Sequence, residues 1–304
     1  MFANSECALC NLKCGADRGA AAGFCGIDDK LYIAHWGLHF GEEPFLIKGG
    51  GSGTIFFAGC SLRCRFCQNH RISRWPLEQG AGVSEYGVES LVDIFFKLKS
   101  AGAANINFVS PTPYVPFIGL AVKEAKLAGF NLPFVYNSHG NDSLETVKSL
   151  ADIIDIYLPD MKYGSDELGL KFSGVDGLYS YGRETIKAMY EQKGALELNA
   201  DGRAVCGVAV RHLVIPGEIE SSLGVMDFLE TIDRKLTVSL MSQFHPPFHD
   251  GLYGHLNARL TRDEYGRVVS YAEALGFENL LIQDVKSSDN YLPNFGRKKV
   301  FADI

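Results

Sequence analysis

The sequence has no long hydrophobic run. None of its apolar stretches approaches the ~18 residues that a transmembrane helix needs, and the first ten residues lack the charged and then apolar pattern of a signal peptide. We therefore expect a cytoplasmic protein without a membrane-spanning segment. With 304 residues, 46% of them hydrophobic, the chain is long enough to bury a substantial core.

Positive charge is also scarce. The 36 acidic residues outnumber the 29 lysines and arginines, which gives a formal net charge of −7. Because nucleic-acid binding draws its affinity from clustered Lys and Arg, this balance argues against a nucleic-acid partner. The glycine-rich run 49–53 is followed directly by Thr54, so it lacks the Gly-Lys-Ser/Thr ending of a phosphate-binding loop. We interpret this run as a flexible linker.

Cysteine is present in an unusual arrangement, because seven of the eight cysteines fall in two tight groups near the N-terminus. A reducing cytosol disfavours disulfides, so this clustering favours metal binding. The first group has the spacing Cys-x2-Cys-x3-Cys-x10-Cys and consists of Cys7, Cys10, Cys14 and Cys25. Four thiolates in a short glycine-rich segment suit a structural zinc ion and an electron-relay iron–sulfur cluster about equally well.

From Thr54 onward, short apolar strand candidates alternate with amphipathic helix candidates, the pattern of βα units around a parallel sheet. The predicted strands are 54–58, 106–110, 133–138, 153–158, 206–214 and 236–242, with a possible seventh at 279–284. Apolar residues at helical spacing predict a helix over 85–100. Capping-box spacing marks two further helix starts, at Asp142 with Glu145 and at Thr261 with Glu264.

Five of the predicted strands end in polar or reactive side chains. An open sheet gathers ligands mainly where the strand order reverses, whereas a barrel brings all C-terminal strand ends to one site. We therefore predict an α/β fold: an incomplete (β/α)6-type partial TIM barrel with a C-terminal βα extension over 51–304. A small cysteine-rich extension is predicted to precede it over 1–50.

The second cysteine group directly follows the first of these strands, in the segment GTIFFAGCSLRCRFCQNH. Cys60, Cys64 and Cys67 supply three thiolates, and three thiolates on a four-iron cluster leave one iron open to a further ligand. At that iron, S-adenosylmethionine can chelate and be cleaved reductively to a 5′-deoxyadenosyl radical. The alternatives are a zinc site completed by His70 or three ordinary buried cysteines.

With these residues the sequence resembles the radical S-adenosylmethionine (radical SAM) superfamily, in particular the PflX-type proteins related to pyruvate formate-lyase activating enzymes. The resemblance extends over NINFVSPTPYVPFI, DIYLPDMKY, VRHLVIPG and SLMSQFHP. It implies that Asp160 and Lys162 hold the methionine part of S-adenosylmethionine and that His245 contributes to the same cofactor site. A departure is the segment 110–112, Ser-Pro-Thr, where the family commonly has Gly-Gly-Glu.

The resemblance also implies a function. The radical would be delivered to a protein partner, a glycyl-radical enzyme, and a reduced flavodoxin or ferredoxin would supply the electron. The same radical chemistry on a peptide, a small metabolite or an RNA base is an alternative. A non-catalytic zinc-binding scaffold is an alternative from a different class.

Overall fold

The computed structural model describes residues 6–77, 82–245, 251–285, 293–296 and 300–301. The strands in these ranges are β1 Leu31–His39, β2 Ser52–Phe57, β3 Ser84–Tyr86, β4 Ile106–Val109, β5 Phe134–Asn137, β6 Ile156–Tyr157, β7 Glu197–Leu198, β8 Ala204–Leu213, β9 Thr237–Met241 and β10 Asn279–Ile282. The α-helices are α1 Pro44–Ile47, α2 His70–Ser73, α3 Val88–Ser100, α4 Val115–Leu127, α5 Leu144–Ser149, α6 Asp166–Ser173, α7 Leu178–Lys193, α8 Ile219–Glu230 and α9 Arg262–Leu275.

The strands form one sheet in the order β10-β9-β8-β6-β5-β4-β2-β1-β3, with β7 paired to β8. All pairs from β2 to β10 along this order are parallel, and those seven strands are the seven predicted from the sequence. The order begins at β10 and ends at β3, so the sheet does not close on itself within the described residues. The α/β fold of the partial-barrel kind is therefore confirmed.

The central parallel strands are apolar because both of their faces are covered. Every residue of β2 and β5 is buried, as expected when helices pack on one face of a parallel sheet and loops and side chains fill the other. Helix α3 begins at Val88 rather than at the predicted residue 85, because 84–86 form β3. It buries Leu91, Ile94, Phe95 and Leu98 against the sheet.

One of the two predicted capping boxes is present. Thr261 caps α9, its hydroxyl accepting from the Glu264 N–H at 3.2 Å while a Glu264 carboxylate oxygen accepts from the Thr261 N–H at 3.0 Å. The predicted box at Asp142 is wrong. Ser143 caps α5 instead, because the Asp142 carboxylate is buried and accepts side-chain hydrogen bonds, including one of 2.7 Å from Tyr136.

The segment before Thr54 differs most from expectation. Its nine-residue strand β1 pairs antiparallel with both β2 and β3, although it shows little periodicity in sequence. Most of β1 is half-buried rather than alternately buried and exposed, which removes the period-2 signal. The linker interpretation of 49–53 is wrong, because Ser52 and Gly53 already belong to β2. The division of the chain at residue 50 stays a prediction.

No helix among the described residues combines the length and the apolar character that a bilayer crossing would require.

Candidate functional site

The loop that follows β2 carries three thiols inward. Cys60 and Cys64 are buried and Cys67 is half-buried. The N–H of Leu62 donates to Cys60 Sγ at 3.4 Å, and the hydroxyl of Ser173, at the end of α6, lies 2.9 Å from Cys64 Sγ. The β2 strand and helix α6 thus fix the loop from two sides.

The three thiols lie close enough to one another to affect each other's ionisation. Burial raises the pKa of Cys60, and the neighbouring Cys64 and Cys67 raise it further. Burial also raises the pKa of Cys64 to about 11, partly offset by the charge of Lys162. Buried thiols ionise when a metal compensates the charge. Three mutually interacting thiols therefore fit the three protein ligands of a [4Fe-4S] cluster.

A zinc site would need a fourth ligand beside the three thiols. The described residues contain no group of three or more His, Cys, Asp or Glu side chains placed to hold a metal ion, and none that joins His70 to the three cysteines.

Asp160 lies after β6 and joins two cations. It forms an ion pair with Lys162, and the Nε of Arg211 in β8 donates to its Oδ1 at 2.9 Å. Burial alone would raise the pKa of Asp160, but Arg211 and Lys162 hold it below its ordinary value. Arg211 also donates to Asn137 Oδ1 at 2.7 Å and approaches Glu42 at 4.0 Å. The carboxylate is therefore ionised and fixed in orientation.

The predicted residues meet in one cleft of about 200 Å³ at the C-terminal strand ends. Its lining combines the cysteine loop, the Asp160 loop and the ends of β8 and β9: Cys64, Phe66, Cys67, Gln68, Asn69, Asp160, Lys162, Arg211, Leu213, Ile215, Met241, Gln243 and His245. Cys60 is buried beside this cleft. The structure thus brings Asp160, Lys162 and His245 to two of the three cysteines; their roles toward the cofactor stay predictions.

Two charged residues of this region were not among the predicted site residues. Arg211 interrupts an otherwise apolar strand, and a charge in such a strand is the signal that could have marked it. Glu42 is buried beside Arg211, and nothing in the sequence around it indicates burial. Arg211 connects Asp160 to Glu42, so both belong to the charge network of the cleft.

A buried polar network supports the loops around the cysteines. Thr112, in the segment that replaces Gly-Gly-Glu, donates to Asp142 Oδ1 at 2.7 Å. The backbone N–H of Asn141 donates to Nδ1 of His139, so the ring proton is on Nε2, which lies 3.3 Å from Ser61 Oγ. Burial lowers the pKa of His139, which keeps the ring neutral. This histidine joins the cysteine loop to the loop after β5.

A family model of the Radical SAM superfamily matches residues 54–229, more than half of the chain. The fold and the three-cysteine loop after the first barrel strand agree with that match. The chain belongs to the radical SAM superfamily. Membership implies a [4Fe-4S] cluster and S-adenosylmethionine as cofactors, and the cysteine loop described above is the part of this chain that fits the cluster.

An uncharacterized protein of Methanocaldococcus jannaschii is similar along most of the chain. It is 29% identical over 273 residues, which cover 88% of this chain and 74% of that protein. The crystal structure of Streptococcus suis SuiB bound to S-adenosylmethionine has the same fold, with a TM-score of 0.50 and 16% identity. That match covers 76% of this chain and 50% of SuiB, so the chain spans about half the length of that protein.

A second solved structure is a domain of pyruvate-formate lyase-activating enzyme from Bacteroides vulgatus. It is 15% identical, with a TM-score of 0.37, over 64% of this chain and 91% of that domain.

Proposed function

We propose that this protein cleaves S-adenosylmethionine reductively and uses the radical to abstract hydrogen from a protein substrate, as the activators of glycyl-radical enzymes do. The observation that carries the proposal is the junction between the cofactor cleft and a lateral opening in the barrel. When bound, the cluster and S-adenosylmethionine supply a 5′-deoxyadenosyl radical able to attack an unactivated C–H bond. The chain supplies binding, orientation and exclusion of water.

The charged residues of the cleft complement the methionine part of the cofactor. Lys162 is positioned to pair with its carboxylate and Asp160 with its ammonium group, both as charge-assisted hydrogen bonds. Arg211 holds the Asp160 carboxylate at 2.9 Å, so that this group is oriented before the cofactor arrives. His245 lines the same cleft and contributes to the cofactor site in this proposal.

The lateral opening lies between the two ends of the sheet. The segment 41–44 after β1 forms one wall and residues 280–283 of β10 and its end form the other, around a space of about 360 Å³. Arg211, Met241 and Gln243 line both this opening and the cofactor cleft. An extended polypeptide segment entering from the side therefore reaches the cofactor without passing through the packed core.

A small metabolite with an amino group is the second candidate substrate. Glu43 is buried at the edge of the opening, and its Oε2 accepts no hydrogen bond from the described residues. A buried carboxylate oxygen without a donor is costly, and an ammonium group would satisfy it. The neighbouring Glu42 adds to the acidic character of this wall, which disfavours an RNA substrate.

The partners follow from the chemistry. The electron must come from a low-potential donor, for which we propose a reduced flavodoxin or ferredoxin in the cytoplasm. The protein substrate would present an extended loop with a glycine Cα–H at its tip.

Anaerobic incubation with S-adenosylmethionine, a reductant and candidate glycyl-radical enzymes tests the proposal. Electron paramagnetic resonance should show a stable protein radical, and 5′-deoxyadenosine should accumulate in proportion to it. If no candidate protein acquires a radical, while a peptide or an amine metabolite is modified instead, the protein-substrate proposal is wrong and the second candidate is favoured.

A further inference from the structure

The four cysteines of the N-terminal segment lie near one another. The thiols of Cys14 and Cys25 lie 3.4 and 3.8 Å from the position that a β-carbon would take at Gly23. Cys7 donates a hydrogen bond to the thiol of Cys14, and Cys7 and Cys25 both lie close enough to Cys10 to interact electrostatically with it. Cys7 and Cys25, which are 18 positions apart in sequence, are thus brought close together, and no disulfide joins them.

Backbone N–H groups point at these sulfurs in a repeated local geometry. Three of the four thiols accept a hydrogen bond from the N–H two residues further on: Leu12 for Cys10, Ala16 for Cys14 and Ile27 for Cys25. The sulfur of Cys60 likewise accepts a hydrogen bond from the N–H of Leu62, two residues further on. Such bonds favour the thiolate and tune a cluster that the thiolate binds. The N-terminal thiols therefore repeat the local geometry found at a cluster ligand.

The N-terminal segment packs directly on the Cys60 loop. The hydroxyl of Ser61, the residue after Cys60, donates to the thiol of Cys10. On the other side, the carbonyl oxygen of Cys25 lies only 2.7 Å from the position of a β-carbon at Gly59, so that no larger residue fits there. The thiol of Cys10 and the backbone of Cys25 thus approach the residues that flank Cys60.

A guanidinium group bridges the same two segments. Arg63 Nη1 donates to the carbonyl oxygen of Cys60 at 2.6 Å, and its guanidinium carbon stacks 4.6 Å from the ring centroid of Phe24. Phe24 immediately precedes Cys25. The two cysteine groups are therefore joined by at least three independent contacts.

We propose that Cys7, Cys10, Cys14 and Cys25 hold a second [4Fe-4S] cluster, through which electrons enter the Cys60–Cys67 centre. The proposal rests on the proposed function, because only a reductive cleavage needs such an entry. Each electron accepted from a low-potential donor protein oxidises that donor and is passed on singly, with no proton or atom transferred. Cys14 is exposed, which places this cluster where a donor protein can approach.

A structural zinc ion is the competing occupant. Zinc has no redox chemistry, and its four sulfurs lie about 2.3 Å from one ion. The described residues contain no group of three or more His, Cys, Asp or Glu side chains placed to hold a metal ion, and this is as true of Cys60, Cys64 and Cys67, where the superfamily implies a cluster, as of the N-terminal thiols.

Metal analysis of the anaerobically reconstituted protein tests the site directly. We expect about eight irons and eight sulfides per wild-type chain, falling to about four of each in Cys14→Ala. Cys206→Ala, in β8 and outside both groups, is the matched control and should keep all eight. One zinc and four irons in the wild-type chain, or equal iron in Cys14→Ala and the control, would overturn the proposal.

The entry role is tested with two reductants. With reduced flavodoxin, release of 5′-deoxyadenosine should fall at least tenfold in Cys14→Ala relative to Cys206→Ala, whereas dithionite, which reaches the second centre directly, should restore most of it. Equal rates with flavodoxin would refute electron entry here. Should wild-type protein release no 5′-deoxyadenosine with either reductant, the proposed function fails, while the iron counts still decide whether the second cluster exists.

Discussion

At the scale of single residues, Asp160 is where the charges of the site converge. It pairs with Lys162 and with Arg211, and all three are largely buried. The two cations stabilise the ionised form of Asp160, and Asp160 stabilises the charge of both cations. A buried pair is costly to break, because the remaining charge is left uncompensated. The network therefore orients the groups that we assign to the cofactor even before it binds.

Lys162→Ala should weaken S-adenosylmethionine binding about 10- to 100-fold, because it removes one charge-assisted hydrogen bond to the cofactor carboxylate. Equilibrium dialysis with the cluster-loaded protein measures this. Lys187→Ala on helix α7 is the control, since that lysine packs over Phe228, a residue outside the lining of the cleft. Equal affinity in the two variants would contradict the assignment of Lys162.

Glu42 makes stability depend on pH. Burial, and then the neighbouring Glu43, raise the pKa of Glu42 from its ordinary 4.5 to about 7. Between these values the folded chain binds more protons than the unfolded chain, so this group lowers the free energy of unfolding as the pH rises. Glu42→Gln removes this contribution. The free energy of unfolding of the variant, taken relative to that of the wild type, should rise by about 1 to 3 kcal/mol from pH 5 to pH 8.

Urea unfolding at the two pH values measures this difference. Glu145→Gln, which removes an exposed carboxylate from helix α5, controls for the change in net charge. A stability difference between Glu42→Gln and wild type that does not change with pH would show that Glu42 ionises normally.

The sequence was most informative about residues whose chemistry is unusual for their position. Three cysteines after a strand and the Asp160–Lys162 pair could be assigned from spacing and resemblance, and the structure brings them together. Glu42 could not, and Arg211 could be marked by its charge in an apolar strand but not given its partners, because these contacts join segments far apart in sequence. Asp142 is a similar case. Its spacing to Glu145 predicts a helix cap, but its side chain is buried and accepts hydrogen bonds from other side chains instead.

At the scale of elements, the loops after β5 and β6 are held by a close backbone approach. Gly140 has a φ of +82°, and a β-carbon there would collide with the carbonyl oxygen of Asp160. Gly129, after helix α4, also has a φ of +82°, but no atom lies within 4 Å of the corresponding position. The two glycines therefore share the backbone conformation, and only at Gly140 would a β-carbon collide with another part of the chain.

Gly140→Ala should destabilise the fold more than Gly129→Ala. Both pay about 1 to 2 kcal/mol for the left-handed conformation, and only the first must also displace the Asp160 loop, at roughly 1 to 3 kcal/mol more. Because that loop carries Asp160, Gly140→Ala should also weaken S-adenosylmethionine binding. Urea unfolding and cofactor binding check the two effects, and identical behaviour of the variants would show that the approach does not constrain the site.

Strands were predictable where they form short apolar runs, and six of the seven predicted strands are mostly buried, β10 being the exception. The seven parallel strands read as short apolar runs, and each was located to within a few residues. The strands β1, β3 and β7 were missed: β1 is mostly half-buried, and β3 and β7 span three and two residues. Such strands are specified by their pairing partners rather than by a local pattern.

At the scale of the whole molecule, the incomplete barrel explains both the position of the site and its access. The loops after β2 and β6 and the ends of β8 and β9 meet at one cleft. In the part of the chain that the structure describes, the unclosed edge leaves the lateral opening between residues 41–44 and 280–283. The partial barrel could be predicted from the alternation of strands and helices together with the polar residues at the strand ends. The lateral opening could not, because it depends on where β1 and its following segment pack.

The central claim is that three thiolates of the loop after β2 hold a cluster whose open iron cleaves S-adenosylmethionine. Release of 5′-deoxyadenosine by anaerobically reconstituted Cys64→Ala, compared with Cys206→Ala under dithionite, tests it most directly. The account predicts that Cys64→Ala releases none and holds about four irons fewer than the control. Undiminished release by Cys64→Ala would contradict it.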